Sequence, residues 1–204
     1  MKYRLFTQKI TLLNTINITR QEQRSKFPSL WNYGDSIKLD WYGKISSLAP
    51  QFLCTLDATH FHFLAGDRNP YTIHPGAQPG KFQPELWKYD VAEFFLASSD
   101  SSSYLEFNLA PNGAWWSAFF EEPRVALDRP RLAGVETFGE PTNDGWQVRA
   151  SIPLSEIGFT PESLLNVTFI LGTPRQRFFT AASLSSAEPD FHRPSEFLPI
   201  SLSS

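Results

Sequence analysis

Residues 86–122 constrain the fold of this chain most, because apolar and polar side chains alternate along short segments there. The segment 105–109, LEFNL, has the period of two that is typical of a half-buried strand. Turn-forming residues separate the segments at 98–103 and at 111–114. The sequence therefore predicts three short antiparallel strands in this stretch.

The register of the first two strands follows from the need for one continuous apolar face. Three pairs produce such a face: Leu96 with Leu105, Phe94 with Phe107, and Ala92 with Leu109. A slip of one residue would move every one of these side chains to the opposite face. We therefore predict this register.

The other face of these strands combines aromatic and polar side chains. The ligand-binding residues predicted on it are Trp87, Tyr89, Glu93, Tyr104, Glu106, Asn108 and Trp115. Trp115 is placed here because choosing Trp116 for the core turns Ser117 outward. The opposite assignment stays open, since a bulge in the 111–114 turn would exchange the faces of the two tryptophans.

Flat rings beside carboxylates and a carboxamide suit a polyhydroxylated ligand, whose C–H faces stack on the rings and whose hydroxyls form hydrogen bonds. We expect non-catalytic binding of a carbohydrate, as a small molecule or an oligosaccharide, or of a related small polar ligand. Arg149, on a later strand, would use its planar guanidinium group to bind a carboxylated or phosphorylated sugar. Two alternatives stay open: a solvated face with a few exposed aromatics, and a protein-interaction module that forms a homodimer or meets another protein.

Composition limits the class of protein. The 204 residues are 15% aromatic and 19% charged with no long apolar run, as expected for a globular domain that does not span a membrane. The formal net charge is −3, and the basic residues form no stripe along the sequence. Both observations argue against nucleic-acid and anionic-membrane partners. The single cysteine, Cys54, lies in an apolar segment and is expected to be a buried thiol. Because residues 1–13 contain no signal-peptide pattern and instead predict a first strand, we expect a cytoplasmic location.

The rest of the chain predicts more strands, at 36–42, 51–65 (bent at Asp57), 129–139, 146–152, 166–172, 175–181 and 197–202. A helical turn closed by glycine is predicted at 153–158. Residues 14–36 are too irregular to assign, and the Pro- and Gly-rich segment 66–85 predicts a long surface loop that either shapes a site or is a structural crossover. The predicted fold class is all-β: a single antiparallel β-sandwich domain with long loops, covering residues 1–204.

Four segments in a fixed order resemble the DOMON-like and family 9 carbohydrate-binding-module superfamily: LWKYDVAEFFL, YLEFNLAPNG, GWQVRASIPLSEIG and PDFHRPSEFLPI. They span roughly residues 86–202. The resemblance implies a jelly-roll or immunoglobulin-like β-sandwich that binds sugars, or haem in some relatives. In sugar-binding members, aromatic rings sandwich the saccharide and polar side chains hold its hydroxyls. The matching positions here would be Trp87, Tyr89, Glu93, Glu106, Asn108 and Trp115.

Cofactor ligands are scarce in the sequence. Met1 is the only methionine, so haem would need two of four histidines: His60, His62, His74 and His192. The first two share a strand face and cannot reach opposite sides of a porphyrin, whereas a pair from distant segments stays open. The same HxH motif offers zinc only two ligands. No cofactor is expected, with calcium left open at three carboxylates: Asp67, Asp90 and Asp144. Asp90 has the parity of the apolar face, so its charge needs an arginine or an ion as partner.

An enzyme is not expected. The sequence contains no GxSxG, HExxH, phosphate-loop or dinucleotide motif. Glu93 and Glu106 would be diagonal neighbours on paired strands, at a separation that a glycoside hydrolase could use. On an open sheet face, however, neither carboxyl is expected to have the raised pKa that a general acid requires.

Overall fold

The structure, a computed structural model, describes residues 12–21, 29–99, 102–142 and 144–203. Its strands are short: β1 (Ile16–Arg20), β2 (Asp35–Ser36), β3 (Gln51–Leu56), β4 (His60–Asp67), β5 (Val91–Ala97), β6 (Tyr104–Leu109), β7 (Trp115–Glu122), β8 (Val125–Ala126), β9 (Glu136–Thr142), β10 (Gly145–Pro153), β11 (Leu164–Leu171), β12 (Arg177–Thr180) and β13 (Leu198–Ser203). The helices are single turns: α1 (Leu30–Tyr33), α2 (Leu154–Ile157) and 3-10 turns at Leu86–Lys88 and Pro194–Glu196. No helix in the described part of the chain is long and apolar enough to cross a membrane. The strand predicted for residues 1–13 lies outside the described residues, apart from its last two.

The strands form one mixed sheet in the order β8-β7-β6-β5-β11-β13-β1-β3-β4-β10-β9, with β12 beside β11 and β2 beside β3. The prediction of a wholly antiparallel sheet is wrong at one strand, because β1 runs parallel to both β13 and β3. This strand falls within residues 14–36, which sequence reasoning left unassigned. Its side chains do alternate in burial, but such a pattern shows a strand without showing its direction.

The sheet curls so that its two halves pack face to face around the core. Phe61 and Phe63 of β4 meet Phe94 of β5 edge to face, at ring-centroid distances of 5.2 and 5.3 Å. Trp146 of β10 lies 6.3 Å from Phe169 of β11. Each strand with one buried face therefore contributes alternate side chains to a single apolar interior. The jelly-roll or immunoglobulin-like connectivity stays a prediction.

Several strand predictions are confirmed. Leu96 pairs with Leu105 across β5 and β6, and the other two predicted pairs follow from that register. The four side chains of β10 predicted to face inward are buried: Trp146, Val148, Ala150 and Ile152. Gly158 ends α2 in the left-handed conformation, with φ of 61°. Cys54 is buried, and burial, aided by the nearby Asp35 carboxylate, raises the pKa of its thiol far above the ordinary value.

Other boundaries are wrong. Residues 51–65 form two strands, because the Asp57 carboxylate accepts hydrogen bonds from the backbone N–H groups of Thr59 and His60 and reverses the chain there. In the segment 36–42, only Ser36 belongs to a strand, and the chain turns at 41–42, where the Asp40 carboxylate accepts from the Lys44 N–H. In the segment 129–139, the strand begins only at Glu136.

The two tryptophans of β7 occupy the faces opposite to those preferred from sequence. Trp115 pairs with Leu109 and stacks on Phe107 in the core, at 5.8 Å, whereas Trp116 pairs with Asn108 and shares its face. The connection 110–114, with Gly113 at φ of 84°, sets this register. Sequence reasoning failed because it treated Ser117 as a solvent-facing residue, but Ser117 is buried on the core side.

Candidate functional site

The polar and aromatic face of β5, β6 and β7 is covered rather than open. The segment that precedes β13 folds over it, so that the Phe95 ring contacts the rings of Phe191, His192 and Phe197 at 5.7 to 6.2 Å. The 3-10 turn at Leu86–Lys88 adds a further border, with Leu86 buried in the same apolar cluster. This second layer converts a sheet face into a partly covered pocket.

A pocket of about 400 Å³ opens in this layer. Its floor is formed by Glu93, Phe95 and Glu106, and the rest of its lining is mainly aromatic: Trp87, Trp116, Phe120, Phe178 and Phe191, with Ile170, Pro189, Arg124 and His192. Trp87 and Trp116 meet edge to face at 5.1 Å and form one corner. Pocket size and lining fit a small ligand that presents both apolar faces and polar groups.

The two floor carboxylates are nearly inaccessible to solvent, with Glu93 2% and Glu106 5% exposed. Glu93 pairs with Asn108 across the strands, so Glu106 is its diagonal neighbour as predicted. The Thr168 hydroxyl donates to Glu93 Oε2 at 2.7 Å. Burial raises the pKa of Glu93 and only this hydrogen bond opposes it, while burial and then the Glu93 charge raise the pKa of Glu106. The expectation of unshifted carboxyl groups is therefore wrong, because the face is buried.

Asn108 lies beside the two glutamates and is fully buried. Its amide is near enough to lower the pKa of Glu106 somewhat, but neither Nδ2 nor Oδ1 makes a well-formed hydrogen bond to the described protein atoms. A buried carboxamide without partners is costly. It is therefore a group that a ligand or an ordered water would satisfy.

The rim combines Arg124, Asp190 and His192. Arg124, with φ of 66°, donates from its side chain to Asp190 at 2.8 Å and from its backbone N–H to the Tyr104 hydroxyl at 3.2 Å. Tyr104 Oη lies 2.7 Å from His192 Nδ1, and His192 Nε2 lies 3.8 Å from Glu106 Oε2. Burial first, and then the Arg124 charge, lowers the pKa of His192 to about 4. His192 is therefore neutral at pH 7.

The structure brings only part of the predicted residue set together. Glu93, Glu106 and Trp87 line the pocket, and Asn108 and Tyr104 lie directly beside it. Trp87 is not on a strand but in the 3-10 turn before β5, where it is 37% exposed.

Three predicted positions lie elsewhere. Tyr89 packs edge to face on His74 of the 68–85 loop, at 4.9 Å, and Trp115 is in the core. Arg149 lies on β10, in the other half of the sheet, with its guanidinium 5.9 Å from the Phe138 ring. Its parity opposes that of the core residues of β10, so it faces away from the interior on the half of the sheet that does not contain Glu106.

Sequence reasoning did not identify the rim residues or several of the aromatic residues that line the pocket. Trp116 was the rejected alternative at β7, and Phe178, Phe191, His192 and Arg124 come from segments without alternation. The PDFHRP run near the C-terminus was noticed only as part of a family pattern, and its His192 only as a candidate haem ligand. Its Phe and His between prolines would have indicated a covering loop, but no local pattern shows which face such a loop covers.

The covered geometry also bears on the interface alternative. A flat apolar patch would be needed for a dimer on this face, but most of the face is buried within the chain. Polar groups that converge between rings in a concave site favour a small ligand.

The side chains considered as haem, zinc or calcium ligands contact other protein groups in the described residues. His60 and His62 have nearly parallel rings 6.1 Å apart, and His62 bonds to Asp57 and Ser151 at 3.0 and 2.9 Å. His192 is the one histidine among the described lining residues of the pocket, and the described residues contain no group of three metal-ligating side chains. The carboxylate of Asp90 accepts from the N–H groups of Gly172 and Thr173 at 3.1 and 2.9 Å, so backbone amides replace the arginine or ion expected there.

Sequence comparison finds relatives but no matching family model. An "Extracellular protein" of Arthroderma benhamiae is 29% identical over 136 residues, which are 63% of this chain and 60% of that protein. The UPF0462 protein C4orf33 homologs are 30% identical in Mus musculus, covering 62% of this chain and 68% of that protein, and 28% identical in Rattus norvegicus, covering 62% and 66%. The match thus spans 60 to 68% of the length of these relatives.

Structural comparison finds the same architecture in solved proteins. A family 9 carbohydrate-binding module of Caldicellulosiruptor kristjanssonii in complex with glucose has a TM-score of 0.65 at 14% identity, covering 93% of this chain and 95% of that one. The cellotriose complex gives 0.60 at 16% identity, covering 92% and 93%. A Bacteroides uniformis protein gives 0.66 at 14% identity, covering 93% and 99%. The fold is therefore of the family 9 carbohydrate-binding-module type, and the DOMON part of the resemblance stays a prediction.

Proposed function

This chain belongs to the UPF0462 family, and we propose that it binds a carbohydrate in the pocket of Glu93, Glu106 and Trp116 without catalysing a reaction on it. The observation that carries the proposal is the pocket itself, in which aromatic walls surround two buried carboxylates. The structural neighbours add support, since their described complexes contain glucose and cellotriose.

Binding would use both kinds of lining. A C–H face of a sugar ring would stack on Trp116 or Trp87. Because these two rings meet edge to face, they form one corner of the pocket and leave no slot between them. Its hydroxyls would reach the floor glutamates and the unpartnered Asn108 amide. A protonated carboxyl both donates and accepts, so the raised pKa values of Glu93 and Glu106 suit hydroxyl recognition.

A hydrolytic role is less consistent with the site. Glycoside hydrolysis needs one carboxyl that stays protonated and one that stays ionised, hence environments that move the two pKa values apart. Here burial moves both pKa values upward, and both groups lie side by side on the pocket floor. We expect no new reducing ends when the protein is incubated with oligosaccharides.

The test is isothermal titration calorimetry with a panel of mono- and oligosaccharides at pH 7. The Trp116→Ala variant should bind at least about tenfold more weakly, which corresponds to about 1.4 kcal/mol. Trp31→Ala is the matched control, because Trp31 packs under Arg68 at another site, 4.4 Å from its guanidinium. Circular dichroism of each variant checks folding. Absence of binding across the panel, or equal loss in both variants, would contradict the proposal.

A further inference from the structure

Two acidic side chains of the pocket lack a lysine or arginine partner among the described residues. Glu93 and Glu106 lie together on its floor, both nearly inaccessible to solvent. Within the described ranges, neither carboxylate forms an ion pair with a lysine or arginine, and the one clear hydrogen-bond donor is the neutral Thr168 hydroxyl. Buried carboxylates usually have a cationic partner, because their desolvation is costly.

The rim supplies only part of that positive charge, because the Arg124 charge lowers the pKa of Glu106 but burial outweighs it. Arg124 is the only Lys or Arg among the described lining residues, and its guanidinium is 63% exposed and bound to Asp190. His192 is neutral at pH 7. The remaining neighbours of the carboxylates, Tyr104 and Asn108, are neutral as well. A further cation to partner these carboxylates in their ionised form would therefore have to come from the ligand.

The walls suit a cation too. The faces of tryptophan and phenylalanine rings attract an ammonium group through their quadrupoles, most strongly where water is excluded. Trp87 and Trp116 form one corner of the pocket that the two carboxylates also line. An ammonium on the floor and a sugar ring against the wall would satisfy both features at once.

We propose that the pocket selects an ammonium-bearing sugar, such as a 2-amino-2-deoxyhexose, over the corresponding neutral sugar. This inference rests on the proposed carbohydrate binding and specifies the class of ligand. Glu93 and Glu106 would bind the ammonium, Asn108 would bind a neighbouring hydroxyl, and Trp116 would stack on the ring. Arg124, held by Asp190, would stay at the rim.

The selectivity should depend on pH in a defined direction. At pH 7 an approaching ammonium favours the ionised carboxylates and displaces their protons. At pH 5 the amine is still charged, but both glutamates are protonated because burial has raised their pKa values. His192, with a pKa of about 4, stays mostly neutral, and the other charged rim groups, Arg124 and Asp190, are bound to each other. The preference for the amino sugar should therefore shrink between pH 7 and pH 5.

Calorimetry with glucosamine, glucose and N-acetylglucosamine tests the inference. Glucosamine should bind at least tenfold more tightly than either neutral sugar at pH 7, and Glu106→Gln and Glu93→Gln should each abolish the preference. Glu122→Gln, at an exposed carboxylate, is the control and should keep it. If glucose binds as tightly as glucosamine, carbohydrate binding stands and the cationic selectivity is overturned. If none of the three sugars binds and the wider panel also fails, both proposals fall.

Discussion

At the scale of single residues, the buried carboxyl groups that would bind a ligand also lower the stability of the free folded protein. Glu93 and Glu106 are buried without a cationic partner in the described chain, so their charged forms are disfavoured in the folded state. Sites that are prepared for a ligand often store such unfavourable charge.

Glu106→Gln should therefore stabilise the free protein at alkaline pH. A carboxyl whose folded pKa is raised contributes fully below the unfolded pKa, and this contribution is lost as the pH rises through the folded value. Each unit of pKa difference corresponds to about 1.4 kcal/mol, and 1 kcal/mol to about 2–4 °C in a domain of this size. The Tm of the variant should exceed that of the wild type by several degrees at pH 8.

Thermal unfolding at pH 5 and pH 8, followed by circular dichroism, measures this difference. Little gain is expected at pH 5, where the wild-type carboxyl is already neutral. Glu122→Gln should change the Tm little at either pH, because that side chain is exposed. If the Tm of Glu106→Gln at pH 8 equals or lies below that of the wild type, burial of the Glu106 charge does not destabilise the folded protein.

At the scale of elements, the connection 110–114 determines which tryptophan enters the pocket. Gly139 of β9 lies so close to this connection that an added Cβ would clash with the backbone of Asn112 and Gly113. The Thr137 hydroxyl donates to the Gly113 carbonyl and ties the same two segments together. The position of Trp116 thus depends on a contact between strands that are distant in sequence.

Gly139→Ala should destabilise the protein by about 1–3 kcal/mol, the usual cost of overpacking. Because the connection must shift, sugar binding should weaken as well. Urea denaturation measures the first effect and calorimetry the second. Gly76→Ala is the control, since its methyl would meet only the side chains of Gln83 and His74. If Gly139→Ala is as stable as the wild type, the connection 110–114 is not held by its close contact with Gly139.

The sequence predicted a strand's register and buried face where the strand's own alternation determines them. It did not predict features that depend on which other segment packs against the strand. The register of β5 and β6 follows from their own alternation, as does the inward face of β10. The parallel placement of β1, the face of Trp116 and the covering role of Phe191 and His192 depend on long-range packing. Local propensity cannot determine these, because strand patterns do not specify neighbours.

At the scale of the whole molecule, a family 9-type fold positions one pocket between the sheet and the segment before β13. The likeness to solved structures shows the fold, whereas carbohydrate binding, the face, the ligand and a homodimer stay proposals or predictions. The cytoplasmic location also stays a prediction. The Arthroderma benhamiae relative is named an extracellular protein, which does not support that prediction.

The most direct test of the central claim is to map the bound sugar by NMR. Spectra of ¹⁵N-labelled protein, recorded during titration with the tightest sugar of the panel, report every perturbed backbone and indole N–H. We expect saturable shifts at the Trp87 and Trp116 indoles and along β5 and β6, with none at Trp31 or Arg149. Shifts confined to another surface, or no shifts at saturating sugar, would contradict binding in this pocket.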